Sequence, residues 1–361
     1  MKRAHLALIT VAVAAVVLLP TAYNILQAGG KDGGNGYVTI TDSAGRTVNV
    51  PESPTRIAVV NTYTAEVLRA LGVDPSIIVG ISEDFADEAL WSDMAGKRVV
   101  QTSAHGEPDV EAMLDMKIQV LFTFGTHQFV NIKTLESSLA PAGIAVVGLD
   151  FFRYGTLYSD IATMGKIFNK EERAAELIEG MREVEQTIET RIGTVPESER
   201  PTVVIEHHSS SAREPVVQSS TSQWGQLVEL AGGVNIFGDL IGTTARVDPV
   251  DILRANPDYY FLDGMAVDIG YGRSNVGQYE AAISALGNRD GFSDIQAVTE
   301  EHVYIFAGEF AGPMMIYGAG VIASILYPDL FDDVGADWFI TTYFSTFHGV
   351  EVQGVMYYPE S

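Results

Sequence analysis

The feature that most constrains this chain is a pattern that runs twice. Short β-branched segments alternate with helical ones over 56–149 and again over 202–347, and one long amphipathic stretch lies between the two series. In the first series 56–60, 77–81, 120–124 and 145–149 read as extended, with helices at 64–71, 109–116 and 131–139. In the second, 202–206, 259–262 and 303–306 read as extended, with helices at 222–230, 249–254, 313–326 and 336–347. Strands alternating with helices build βα units, and βα units build mainly parallel sheets. The stretch at 170–192 places Leu177, Met181, Val184, Ile188 and Ile192 on one face, and Val195-Pro196 ends it. The pattern predicts an α/β protein of two Rossmann-like lobes, 37–155 and 201–361, joined by a single long spine helix within a helical connector at 156–200. A chain of 361 residues has the length for two such lobes.

The N-terminus carries a separate signal. Lys2 and Arg3 precede an uncharged run to Gly30 whose centre is apolar, which reads as a signal peptide or a membrane-spanning anchor over 1–28. Small residues are missing three positions before the candidate cleavage points at Ala22 and Ala28, and this favours the anchor. Residues 29–36 are glycine-rich and read as a flexible tether. The body is then extracytoplasmic, and it opens with a hairpin over 38–50 around a turn at 42–45. A net charge of −25 argues against nucleic acid as a partner, since such a surface repels phosphate backbones. With no cysteine, the chain has no disulfide, thiolate metal site or cysteine-linked lipid.

Ligands of open α/β sheets bind beyond the carboxyl ends of the strands. The segments found there are Asn61-Thr62-Tyr63-Thr64, Gly125-Thr126-His127-Gln128, Asp150-Phe151-Phe152-Arg153-Tyr154, Glu206-His207-His208, Asp263-Gly264-Met265 and Ala307-Gly308-Glu309-Phe310. His105 lies beside Gly106 in a turn. Adjacent residues on a strand point to opposite faces, so His207 and His208 can reach one ligand only if the strand has ended by Glu206. Each of these residues also has an ordinary use: a loop histidine bonds locally, and Phe151 or Phe152 fills a core. No His-Glu-x-x-His, Gly-x-Ser-x-Gly or Walker-type loop is present, so a metal-dependent surface enzyme is the weaker alternative.

Several segments, taken in order, resemble the substrate-binding proteins of ABC importers for iron chelates, haem and cobalamin. They are Ile40-Thr-Asp-Ser-Ala-Gly-Arg-Thr-Val-Asn-Val-Pro51, Pro108-Asp-Val-Glu-Ala-Met-Leu-Asp-Met-Lys117, Trp224-Gly-Gln-Leu-Val-Glu-Leu-Ala-Gly-Gly-Val-Asn235, Asn256-Pro-Asp-Tyr-Tyr-Phe261 and Tyr327-Pro-Asp-Leu-Phe331. The resemblance implies a monomeric, non-enzymatic receptor, with no cofactor of its own, that delivers an iron(III) chelate to a permease and its ATPase; corrinoid or haem is the alternative ligand. It also implies docking carboxylates at Glu111 and, where the family's second glutamate is replaced by Val250, at Asp248 or Asp251.

For such a ligand, Tyr63, Tyr154, Tyr271 and Glu309 offer the hard oxygens that iron(III) prefers. His127, His207 and His208 could complete a vacant coordination position, and Thr62, which follows the first strand, is a further candidate ligand contact. Arg153, Arg213, Arg246 and Arg273 could fork onto an anionic chelate, and Trp224 and Phe310 could stack on a flat one.

Overall fold

The hairpin forms first in the chain. β1 (Tyr37–Thr41) pairs antiparallel with β2 (Thr47–Pro51), with Thr41 opposite Thr47. Its turn is closed by Asp42, whose carboxylate accepts from the backbone N–H of Ala44 and Arg46 and holds the Arg46 guanidinium at 2.6 Å. The computed structural model describes residues 36–85 and 89–360. Among them no helix is long and apolar enough to cross a membrane. The anchor expected over 1–28 lies outside the described residues, as does the tether up to Asn35.

Five parallel strands form the N-terminal lobe: β3 (Ile57–Val59), β4 (Ile78–Ser82), β5 (Arg98–Gln101), β6 (Val120–Thr123) and β7 (Ala145–Gly148). Their order is β5-β4-β3-β6-β7. β3 and β6 are wholly buried, which is why they read as unbroken apolar runs. Each helix starts on a polar cap. α1 (Thr62–Ala70) is capped by Asn61, α2 (Val110–Asp115) by Asp109 and α3 (Ile132–Leu139) by Asn131, each side chain accepting a backbone N–H three residues on.

The connector is two helices, where the sequence reading gave one. α4 (Tyr154–Ile167) and α5 (Glu171–Ile192) meet at Asn169, whose φ of 52° turns the chain. α5 is the expected spine, and the five residues of its predicted stripe are all buried. Arg173 near its start donates to the carbonyls of Ala70 in the first lobe and Thr346 in the second.

The C-terminal lobe carries β8 (Thr202–Glu206), β9 (Val216–Gln218), α6 (Gln223–Leu230), β10 (Val234–Asn235), β11 (Thr244–Arg246), α7 (Pro249–Ala255) and β12 (Tyr259–Asp263). There follow β13 (Gly270–Tyr271), α8 (Val276–Gly287), α9 (Gln296–Thr299), β14 (Val303–Phe306), α10 (Met315–Leu326), α11 (Ala336–Tyr343), β15 (Gly354–Val355) and β16 (Tyr357–Tyr358). The sheet runs β11-β9-β8-β12-β14-β16, with β10 beside the start of β8. β8, β10, β12 and β14 are parallel. α10 is buried along almost its whole length, packed between α5, α6 and α11. The helix expected over 336–347 continues past α11 as a π-helical turn, Phe344–His348.

Candidate functional site

In each lobe the parallel strand order reverses at one point, and a crevice opens there beyond the carboxyl ends. In the N-terminal lobe β3 is flanked by β4 and β6, and the chain crosses back between β3 and β6. In the C-terminal lobe β8 is flanked by β10 and β12, and the reversal falls between β8 and β12. Some of the residues singled out by the sequence, Tyr63, His127, His207 and His208 among them, lie at these two points.

At the first reversal, Tyr63 after β3 meets Phe124 after β6, with ring centroids 5.8 Å apart. His127 stacks on His105 at 4.2 Å, and Phe124, Phe129 and Phe152 surround the pair. Burial, with the neighbouring imidazole, moves His127 down to about 4, so its ring is neutral at physiological pH. Asp150 holds this loop by accepting from the N–H groups of Gly125 and Thr126. Thr126 Oγ1 accepts in turn from Arg153 at 2.9 Å, which places an exposed guanidinium beside His127.

At the second reversal β8 ends at Glu206, and the rings of His207 and His208 lie 3.8 Å apart, on the same side as the condition set by strand geometry required. His208 Nδ1 is 2.9 Å from Oδ2 of Asp263, the last residue of β12. That carboxylate is nearly buried, and its bond raises His208 above the usual imidazole range. His207 is lowered by burial and by its charged neighbour, and its Nδ1 accepts from the Ser209 N–H. Donor atoms of His207, His208 and Asp263 all lie within 4.8 Å of one another. They are the only three imidazole and carboxylate groups so gathered among the described residues.

Tyr63 ties the two reversals together. A Cβ on Gly312 of the C-terminal lobe would stand 2.4 Å from the Tyr63 ring, so only glycine lets that backbone pass. Burial raises the Tyr63 phenol, and the charges of Glu66, Asp263 and Glu309 raise it further. The phenol of the N-terminal site is therefore within electrostatic reach of the carboxylate that holds His208.

The other expected residues fall elsewhere. Tyr154 gives its hydroxyl to Glu185 on the spine, beside Tyr158. Tyr271 is buried with its ring stacked on Phe344, and its backbone N–H donates to Glu309 at 3.0 Å. Of the four hard oxygens expected for iron(III), Tyr154 thus turns to the spine, whereas Glu309 adjoins Tyr271 and acts electrostatically on Tyr63. Trp224 and Phe310 are buried and pack on Phe306 as core side chains, in place of the stacking surface expected of them. Phe151 is core as well, whereas Phe152 edges onto His127. Arg213 is exposed, Arg246 is exposed 4.0 Å from Glu214, and Arg273 is 3.2 Å from Asp268. Thr62 is half-buried in the first turn of α1. Glu111 projects from the first turn of α2 into solvent. Asp248 caps α7, and Asp251 pairs with Arg254 at 2.9 Å. A separate polar groove of about 460 Å³ runs between the hairpin and α4, but Ser43, the Phe151 N–H and Thr156 already satisfy its Asp160.

Two mainly parallel α/β sheets and a helical spine make up the fold, and its family follows from the sequence. Residues 57–308 match the model described as periplasmic binding protein. The chain belongs to that family. Its sequence is 23% identical, over 82% of this chain and 87% of the relative, to an uncharacterized ABC transporter substrate-binding lipoprotein, YvrC, of Bacillus subtilis. Its fold is similar to that of a TroA-like periplasmic binding protein FepB from Veillonella parvula (TM-score 0.73, 22% identity, 89% of this chain and 99% of that one). It is also similar to CeuE of Helicobacter pylori in a complex with Ni-His (TM-score 0.69, 18% identity, 87% and 96%). This periplasmic binding protein is thus an extracytoplasmic substrate-binding protein of an ABC importer, a class whose members work with a permease and an ATPase and are binding proteins, not enzymes.

Asp263 and His105 take a larger part in the site than their sequence positions suggest. Asp263 had a signal, a carboxylate closing a buried strand. The stacking of His105 on His127 had none, because the two come from different strand ends.

Proposed function

We propose that the protein captures a small metal complex between its lobes and delivers it to an ABC importer. The observation that carries this is the gathering of His207, His208 and Asp263 at the C-terminal reversal, with Tyr63 and the His105–His127 pair at the N-terminal one. An iron(III) chelate is the ligand that the family resemblance motivates, with a corrinoid or haem as the alternative. Each can carry an open position on its metal that an imidazole fills. Thr62 and Arg153 then contact the organic shell. Glu111 on one lobe and Asp248 or Asp251 on the other dock the permease, and residues 1–28 hold the body at the outer face of the membrane.

Calorimetric titration with a ferric hydroxamate, haem and cobalamin tests the reading. One of them saturates at one equivalent, and the His207→Ala, His208→Ala double variant loses that binding. If none binds, or binding ignores both histidines, the reading fails.

A further inference from the structure

One face of α1 forms a seam between the lobes. Tyr63 meets Gly312, and Glu66 accepts from the Tyr343 hydroxyl of α11. Arg69 Nη1 lies 3.1 Å from His348 Nδ1 in the π-helical turn, and the Ala70 carbonyl accepts from Arg173 of the spine. Positions 63, 66 and 70 follow the helical repeat, so the face runs from the cleft to the spine. Glu66 is 3% exposed in the middle of it. A buried carboxyl there costs stability that a neutral side chain of the same shape would not.

The turn opposite holds an unmade bond. Arg69 can only donate, so His348 Nδ1 accepts and the ring proton sits on Nε2. Burial and the Arg69 charge push His348 down to about 3, so the ring is neutral at ordinary pH. Its Nε2 is buried with no hydrogen-bond partner among the described residues and lies 4.0 Å from Glu66 Oε2. A shift of about 1 Å brings the two to bonding distance. The turn has room to give: π-helical turns are rare and recur at functional places, and the Val350 N–H reaches the Phe344 carbonyl only at 3.5 Å.

The other groups facing Glu66 are Tyr63 and Arg69 on α1, Tyr343 on α11, His348 on the turn and Glu309 after β14. Burial raises both phenols, which keep their protons, and Arg69 is shared with Asp93.

We propose that this seam is a proton-operated latch. With its proton in place, Glu66 leaves His348 Nε2–H unpaired. When that proton passes to solvent, the carboxylate accepts the Nε2–H bond and draws the Phe344–His348 turn onto α1. The C-terminal lobe is then fastened to the helix that carries Tyr63, one turn from the cleft. Burial raises Glu66 to about 8, so the latch closes as pH climbs towards that value. The new bond favours the charged form and pulls the midpoint lower. The latch belongs to the seam and is the same whichever complex is captured.

The test uses the full chain in mild detergent, labelled with 15N-histidine, with imidazole N–H signals followed by NMR between pH 6 and 9. The His348 signal is assigned by its loss in His348→Gln. It should lie on Nε2 and move downfield in one single-proton step, with a midpoint at or below about 8, while its exchange with water slows. Glu66→Gln removes the step. Tyr343→Phe, which takes away the other donor to the carboxylate, keeps the step and moves its midpoint up, and it serves as the test even where Glu66→Gln does not fold. A His348 signal constant over the range overturns the latch, as does a proton found on Nδ1. So does a step that survives in Glu66→Gln, or a midpoint that Tyr343→Phe leaves in place.

Discussion

Replacing Glu66 by glutamine should stabilise the protein, and more so as pH rises. Glu66 lies on α1 with its carboxylate buried, where it accepts from the Tyr343 hydroxyl and lies 4.0 Å from His348 Nε2. Arg69 on the same helix is the near cation, but it is committed to Asp93 at 2.7 Å, to the Leu90 carbonyl and to His348 Nδ1. Glu309 adds a like charge. Burial therefore raises Glu66 from 4.5 to about 8. The folded state holds this proton more tightly than the unfolded chain does. Stability is then greatest below the unfolded value, declines as pH climbs from about 4.5 to about 8, and is flat above that. Over that interval, at ~1.4 kcal/mol per tenfold, the ceiling is ~5 kcal/mol. Relaxation and water entry in a buried site reduce it to about 1–3 kcal/mol. Glutamine keeps the shape, still accepts from Tyr343 and has no proton to lose. Other titrating groups, such as Asp160, raised to about 6, and His348, lowered to about 3, are common to both proteins and cancel in the difference. Thermal melts of both proteins between pH 5 and 9 are the assay, at about 2–4 °C per kcal/mol for a body of this size. A melting difference that is constant in pH, or that favours the wild type at pH 9, refutes the reasoning.

Three further outcomes are expected. Glu111→Ala leaves ligand affinity intact and reduces uptake in transport assays, because Glu111 stands in solvent in the first turn of α2 and is assigned to docking; equal loss of affinity contradicts that division. Arg289→Met strands the carboxylate of Glu206, which Arg289 grips with two bonds of 2.7 and 2.8 Å, and should lower stability by ~3–5 kcal/mol in chemical denaturation. Closure on ligand should be a hinge of a few degrees, since Arg173 of the spine is bonded to both lobes; a change of several ångströms in the radius of gyration by solution scattering would sink that.

How much of this could be read in advance follows from where the information lies. β8 and β14 match the predicted runs residue for residue, because strands buried on both faces are continuous apolar segments bounded by polar ones. The spine was legible through its 3.6-residue stripe. β5 was not: it begins at exposed Arg98 on the sheet edge, where burial leaves no pattern. α8 contains Gly277 and Gly287 and buries only Tyr279 and Leu286, so its periodicity is faint. For the site, position beyond the strand ends was enough to nominate His127, His207 and His208. It could not tell Tyr63, which touches both lobes, from Tyr154, whose hydroxyl turns to Glu185, since that choice depends on where the spine lies.

The most direct measurement is anomalous diffraction at the absorption edge of the metal, from crystals grown with whichever metal complex binds in the titrations. A single peak within coordination distance of His208 Nε2, between the two reversal points, is the expected result. A peak on surface carboxylates away from the strand ends, or a bound complex whose metal contacts neither His207 nor His208, would contradict the assignment of this site.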